Sequence, residues 1–305
     1  MTFRMDDRFR IPGPVGVTPQ STYARPPGAL GFAGGIFAAP GGISQVKALK
    51  VLKMPTPAHD NSTRNAHEIT FDLYGKGGPA IKDIKQGSLA NCPIASILAA
   101  LAHTPIGRKR IESMIAEHLI PTTTDLSGVA GFLDSPPKGN KIISKRYFTV
   151  TLGEKSIDVS DVLYTDDADR NWSLLYMKSP TDSLWPCVIE KAYAVMEGDS
   201  YDNLDKEELS ANKVFKVLVG SEPDAFSVDD TTDPGKISKA LANAGKTPTI
   251  AASRDEATGV TGWHGFAVLN LNDSKIELYD PAKAKTLHIS LKQFRRDFKA
   301  ILYKR

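Results

Sequence analysis

The spacing of apolar positions changes along this chain. Residues 68–75, "EITFDLYG", alternate with the two-residue period of a strand. In "LANCPIASILAALAHT", Ile94, Ile97, Leu98 and Leu101 recur at three- and four-residue intervals, which predicts a buried helix opening at or beside Cys92. Asn91 suits its N-cap and Pro93 its first turn. A second helix is expected over 107–118. Residues 121–165 read as loop-rich with short strands, among them "RYFTVTLG". "SLWPCVIEKAYAVMEG" reads as another helix, with Trp185, Val188, Ile189, Ala192 and Val195 on its core face. The last third reads as a helix in "DPGKISKALANAG", stopped by glycine, then strands in "KTPTIAAS", "GFAVLNLN" and "KIELYDP", then a helix or helix–strand pair in "SLKQFRRDFKAILYK". A mainly helical first half followed by an antiparallel sheet predicts an α+β fold of two lobes with a cleft between them.

Residues 1–65 have no such period. They are dense in proline and glycine and read as a disordered leader, linker or targeting segment, with a transient helix at 43–52. The expected organisation is this leader, a helical subdomain over 66–211 and a β-rich subdomain over 212–305.

Composition narrows the function classes. The 305 residues carry a formal net charge of +3, with 41% apolar and 24% charged residues, as in an ordinary soluble globular protein. Lysines and arginines are scattered among acids, so nothing points to nucleic acid. No run reaches the roughly 18 apolar residues of a membrane span. The start, "MTFRMDDRFR", lacks the apolar core of a secretory signal. A cytoplasmic monomer is expected, or one delivered by a route that needs no signal peptide. A microbial effector or toxin is one hypothesis, motivated by the leader's composition. The two cysteines, Cys92 and Cys187, are too few for a disulfide framework and lie in no zinc-binding spacing, which leaves free thiols in a reducing compartment.

Cys92 has the position a nucleophilic thiol needs. A thiolate is favoured at a helix N-terminus, where unpaired amides and the helix dipole meet it; a buried structural cysteine is the alternative. Gln86, six residues upstream, offers a side-chain amide that can stand beside the Cys92 backbone N–H as an oxyanion donor. Of the six histidines, His59 and His67 fall in or beside the leader, His103 lies at the far end of the Cys92 helix, and His118 and His288 are in surface contexts. His264, in "TGWHGFAVLNL", stands between a glycine-rich loop and an apolar strand with small neighbours, as a base would. The "NDS" turn folds the next two strands into a hairpin that returns the chain beside His264 near Asp280, which can then orient the imidazole. Asn270 and Asn272 lie too far along that hairpin.

These segments resemble the calpain family of cysteine peptidases. "QGSLANCPIASILAALA" is similar to the family's glutamine-to-cysteine segment and apolar helix, and "DSLWPCVIEKAYAVMEGDSY" to its "EKAYAK" region. "VLYTDDADRN" and "NKVFKVLVGSEPDAF" are weaker echoes. The resemblance covers 72–301. It implies a papain-like core, with Cys92 as nucleophile, His264 as base, Gln86 as oxyanion donor and Asp280-Pro281 in place of asparagine-proline. It departs from the family at Ala90-Asn91, where the family has glycine-aspartate, and at Pro93 and Ala282, where it has tryptophan; Trp263 is a candidate shield in place of the latter. The implied activity is a peptide-cleaving endopeptidase; a papain-fold deamidase or acyltransferase, or a silent binding module, are the alternatives. The chemistry requires no cofactor. Calcium, which switches calpain cores, stays open as a regulator through the acidic stretches "DDADR", "SVDDTTD" and "SRDEATG", none with EF-hand spacing.

Overall fold

The computed structural model describes residues 52, 54–58, 64–119, 146–166, 173–206, 209–273 and 275–304. Nearly all of the leader with its transient helix, His59 and most of "DDADR" lie outside the described residues. In chain order the elements are β1 (Arg64–Glu68), α1 (Cys92–His103), α2 (Pro105–Met114), β2 (Ile115–Leu119), β3 (Arg146–Leu152), β4 (Lys155–Ser160), β5 (Val162–Asp166), β6 (Ser173–Leu174), α3 (Trp185–Met196), α4 (Ala211–Val219), β7 (Asp224–Ser227), α5 (Pro234–Leu241), β8 (Thr249–Ser253), β9 (Gly265–Asn272), β10 (Lys275–Asp280), β11 (Lys285–Ser290), α6 (Leu291–Asp297) and β12 (Phe298–Tyr303). The strands form three sheets, ordered β1-β5-β6, β2-β3-β4 and β11-β10-β9-β8-β12-β7. All pairings between these strands are antiparallel, and the fold is α+β. No helix of the described residues is long and apolar enough to cross a membrane.

Helix α1 is the centre of the larger apolar cluster, and every residue from Cys92 to Ala102 is buried. Alanines 95, 99, 100 and 102 fill the sides that a surface helix would give to polar residues. The six-stranded sheet is covered on both faces. Ile250, Ala252, Ala267, Leu269, Tyr279, Ala300 and Leu302 join the α1 cluster. Alternate positions, Ala251, Phe266, Val268, Leu278 and Ile301, join a second cluster with Ile237 of α5 and Phe294 of α6. Burial on both faces explains why "GFAVL" reads as a continuous apolar run.

Three local expectations change. The helix expected over 107–118 begins at Pro105, capped by the Thr104 hydroxyl accepting from the Gly107 amide at 3.0 Å, and ends at Met114. Residues 115–119 instead pair with β3, whose aromatic and β-branched residues favour a ladder. The strand expected over 68–75 does not form; β1 precedes it and meets it only at Glu68, and Arg64 and Asn65 of β1 fall inside the span expected as leader. Beyond it, Arg146 donates to the carbonyls of Ile69 and Phe71, and Leu184 and Trp185 donate their amides to Asp72 and Leu73, so this backbone is taken up by loop contacts and one isolated bridge, Asp72 to Ser183, rather than by a strand. In α3, Glu190 and Lys191 are buried along with the apolar face, while Val195 is only partly buried.

The loop before α1 lies flat on residues 175–178. Lys85 exchanges backbone hydrogen bonds with Lys178, and Ser88 donates to Leu175. A Cβ on Gly87 would stand 1.6 Å from the Tyr176 carbonyl oxygen, so only glycine permits this approach. Gly87→Ala is therefore expected to destabilise the protein by about 1–3 kcal/mol through overpacking. Urea unfolding measures this, and an unchanged midpoint would contradict the close contact.

Candidate active site

Cys92 is the first residue of α1 and is buried, with 2% exposure. Ile94 and Ala95 donate their amides back to the Asn91 carbonyl, and Pro93 has none to give. Helix geometry leaves the Cys92 amide without a bond inside α1, as a donor free to point out of the helix end. Asn91 occupies the N-cap position but its side chain makes no capping bond; its Nδ2 donates to Glu190 Oε1 at 2.6 Å instead.

His264 precedes β9. Its amide donates to the Ser253 hydroxyl and its carbonyl accepts from the Ser253 amide, both at 2.9 Å, which fixes its backbone against β8. Its ring meets Phe266 edge-on, with centroids 4.9 Å apart. Asp280 ends β10, and a bulge decides which way it faces. Glu277 pairs with Asn270 but Leu278 with Val268, so Leu269 is an extra residue in β9. Continued past the bulge, the register sets Asp280 opposite Phe266, on the same face as His264. Without the bulge it would stand opposite Ala267, on the other face. His264 Nε2 and Asp280 Oδ1 are 3.0 Å apart.

Asp280 has no exposed surface, yet both its oxygens are satisfied. Oδ1 also accepts from the amides of Ala282 and Lys283, at 3.0 and 3.3 Å. Oδ2 accepts from the Thr261 hydroxyl at 3.3 Å and lies 3.6 Å from Lys283 Nζ. Burial alone would raise its pKa, but the His264 hydrogen bond, the His264 charge and Lys283 outweigh it and hold the carboxyl below its usual range. Burial likewise works against a charged imidazole. It is outweighed by hydrogen bonds to Asp280 and Cys92 and by their charges, which push His264 up to about 9. With Nε2 on Asp280, Nδ1 is the ring nitrogen left for the Cys92 sulfur.

Gln86 is tied to this group by its backbone, its amide donating to the Pro281 carbonyl at 2.9 Å. Its side-chain Nε2 donates to the Leu89 carbonyl at 2.6 Å, which uses one of its two N–H groups. The structure thus brings together Cys92, His264 and Asp280, with Gln86 in the loop alongside. The other described histidines stand apart. His67 lies in β1, His103 ends α1, His118 stacks on Tyr147 within the β2–β3 pair, and His288 is exposed on β11. Trp263, at φ +51°, has its ring beneath Lys299 Nζ at 4.1 Å, so its observed partner is that ammonium. Phe266 is the aromatic ring seen against His264. Thr261, Phe266 and Lys283 carry no separate signal in the sequence, because each meets the site only through the fold: Phe266 on β9, Thr261 in the loop before it and Lys283 in the turn after β10. Among the described residues, no group of three or more His, Cys, Asp or Glu side chains is gathered to hold a metal ion.

A histidine pKa raised on folding contributes stability that is complete below its ordinary 6.5 and lost as pH rises through about 9. Unfolding free energy is expected to fall across that window. Asp280→Asn removes a charge that raises the ring's pKa, so in that variant the fall should be smaller and centred at lower pH. Urea midpoints of both proteins from about pH 6 to 10 measure this; coincident profiles would contradict the coupling.

The calpain family cysteine protease domain matches residues 62–278, a span that holds Gln86, Cys92 and His264 and stops two residues short of Asp280. A comparison with curated proteins returns no match. The match covers most of the chain, and the protein belongs to the calpain family of cysteine proteases.

Proposed function

We propose that the protein is a cysteine endopeptidase acting on protein or peptide substrates through Cys92, His264 and Asp280. The observation that carries this reading is the buried His264–Asp280 pair, 3.0 Å apart, with the Cys92 thiol near enough to His264 to help raise its pKa. Cys92 transfers its proton to His264 and its sulfur attacks the scissile carbonyl carbon. The oxyanion is held by the Cys92 amide and by the second N–H of Gln86. As the tetrahedral intermediate collapses, His264 returns the proton to the leaving amine, and a thioester remains on Cys92. Water, deprotonated by His264, then attacks the thioester and releases the acid and the free thiol. Asp280 keeps the ring in one tautomer and stabilises it when charged.

We place this chemistry in a papain-like, two-lobed arrangement. In support, the helix bearing Cys92 belongs to one apolar cluster, while the covering layer of the His264-bearing sheet, α5 and α6, forms another.

Cys92→Ala should lower cleavage of an unfolded protein substrate by at least about 10³-fold. Mass spectrometry of the products identifies the reaction: hydrolysis yields new termini. A shift of about 1 Da without new termini would replace this reading with deamidation, and adducts with added amines would replace it with acyl transfer. Parallel assays with added calcium and with a chelator test calcium as a regulator. Cleavage by Cys92→Ala at the wild-type rate would overturn the proposal.

A further inference from the structure

Glu190 lies in the middle of α3, is buried, and takes no part in the relay. It faces Cys187, Tyr176, Tyr164 and Tyr201 across a narrow internal space, while the next residue, Lys191, turns away to donate to Ser160 and Val162. A carboxyl in such a place is costly unless its oxygens are paired. Both are: Oε2 accepts from the Met177 amide at 2.8 Å, and Oε1 from Asn91 Nδ2 at 2.6 Å. Burial pushes the group up to about 7, and the Met177 and Asn91 hydrogen bonds pull against that rise.

The two donors are informative because of where they sit. Met177 belongs to the platform of residues 175–178 on which the loop from Lys85 to Ser88 is laid by backbone bonds and by the Gly87 contact. Asn91 is the last residue of that loop, and its carbonyl accepts the first backbone bonds of α1. Its side chain gives up the usual capping bond to reach Glu190. An amide at this position can donate to an ionised carboxylate, where an aspartate would need a proton to do so. Glu190 therefore clamps the loop end to its platform from behind, directly at the residue before Cys92.

We infer that Glu190 is a positioning residue: through Asn91 it fixes the start of α1, and so the Cys92 sulfur and amide, in the orientation that attack requires. This rests on the peptidase reading above. Small misplacements of a reacting group reduce the rate of the chemical step more than they weaken binding.

The test is steady-state kinetics on a peptide that the wild type cleaves, at a temperature well below unfolding of each variant. Glu190→Met removes both acceptors at similar size and should lower kcat by about 10-fold or more with KM within about two-fold. Glu190→Gln can still accept from Met177 and, with the Asn91 amide rotated, donate to Asn91 Oδ1, so it should keep kcat within about three-fold of wild type. Asn91→Leu, which leaves the Met177 bond in place, should resemble Glu190→Met and takes its place if that variant does not fold. Wild-type kcat in either Glu190→Met or Asn91→Leu, or failure of Glu190→Gln to restore activity, overturns the inference. If the wild type cleaves nothing, the peptidase reading fails separately, and the rate of Cys92 alkylation by iodoacetamide, located by peptide mapping, tests the same order of variants. Equal alkylation of Cys92 in wild type and Glu190→Met would overturn it.

Discussion

The amide of Gln86 donates to the carbonyl of Pro281, and the hydroxyl of Tyr279 donates to the carbonyl of Ile84 at 2.5 Å across 195 residues of sequence. These bonds join the loop that leads into Cys92 to the strand end that carries Asp280. Nothing else in the chain's covalent order relates the two. Strand alternation makes the arrangement work: Tyr279 turns toward α1 and serves as a tether, while Asp280, the next residue, turns to the opposite face and meets His264. The spacing of Cys92 and His264 therefore depends on one loop lying against one strand end. Gly87 permits the loop to lie that low, and the 175–178 platform supports it from the other side.

Parts of this were legible in the residues and parts were not, for physical reasons. The α1 segment declares itself because apolar and small residues run without interruption after a proline suited to a first turn. The β9–β10 hairpin is legible because a polar turn separates two apolar runs, and that was enough to nominate Asp280. The reason Asp280 faces His264 was not legible. A bulge at Leu269 is a property of pairing, and a regular hairpin drawn from the same turn would have sent the carboxylate to the wrong face. The end of the second helix is not legible in the sequence, because "IAEHL" is compatible with either period and only its neighbour β3 decides the matter.

Glu190 and Lys191 expose the commonest blind spot of pattern reading. In "VIEKAYA" an adjacent acid and base look like the solvent face of an amphipathic helix. Both are buried because each is given its own set of partners: backbone and Asn91 for the acid, and the Ser160–Val162 turn, close to the Asp161 charge, for the base. Burial lowers Lys191 to about 7 even with Asp161 near, so this turn receives a donor that is expensive to keep charged.

An aspartate beside the histidine raises the question of what its charge adds over a neutral amide. Burial opposes ionisation of Asp280, and the His264 hydrogen bond and charge, followed by Lys283, overcome it. The Ala282 and Lys283 amides and the Thr261 hydroxyl also donate to the carboxylate. An ionised carboxylate accepts from Nε2–H whether the ring is neutral or charged, so the bond that sets the ring's orientation persists through both states. The charge changes only the energy of the proton on the other side of the ring. By favouring the imidazolium within a buried site, it offsets the desolvation that would otherwise favour the neutral ring. The fixed geometry comes from the hairpin and its bulge, and the carboxylate adds an electrostatic bias toward the charged ring.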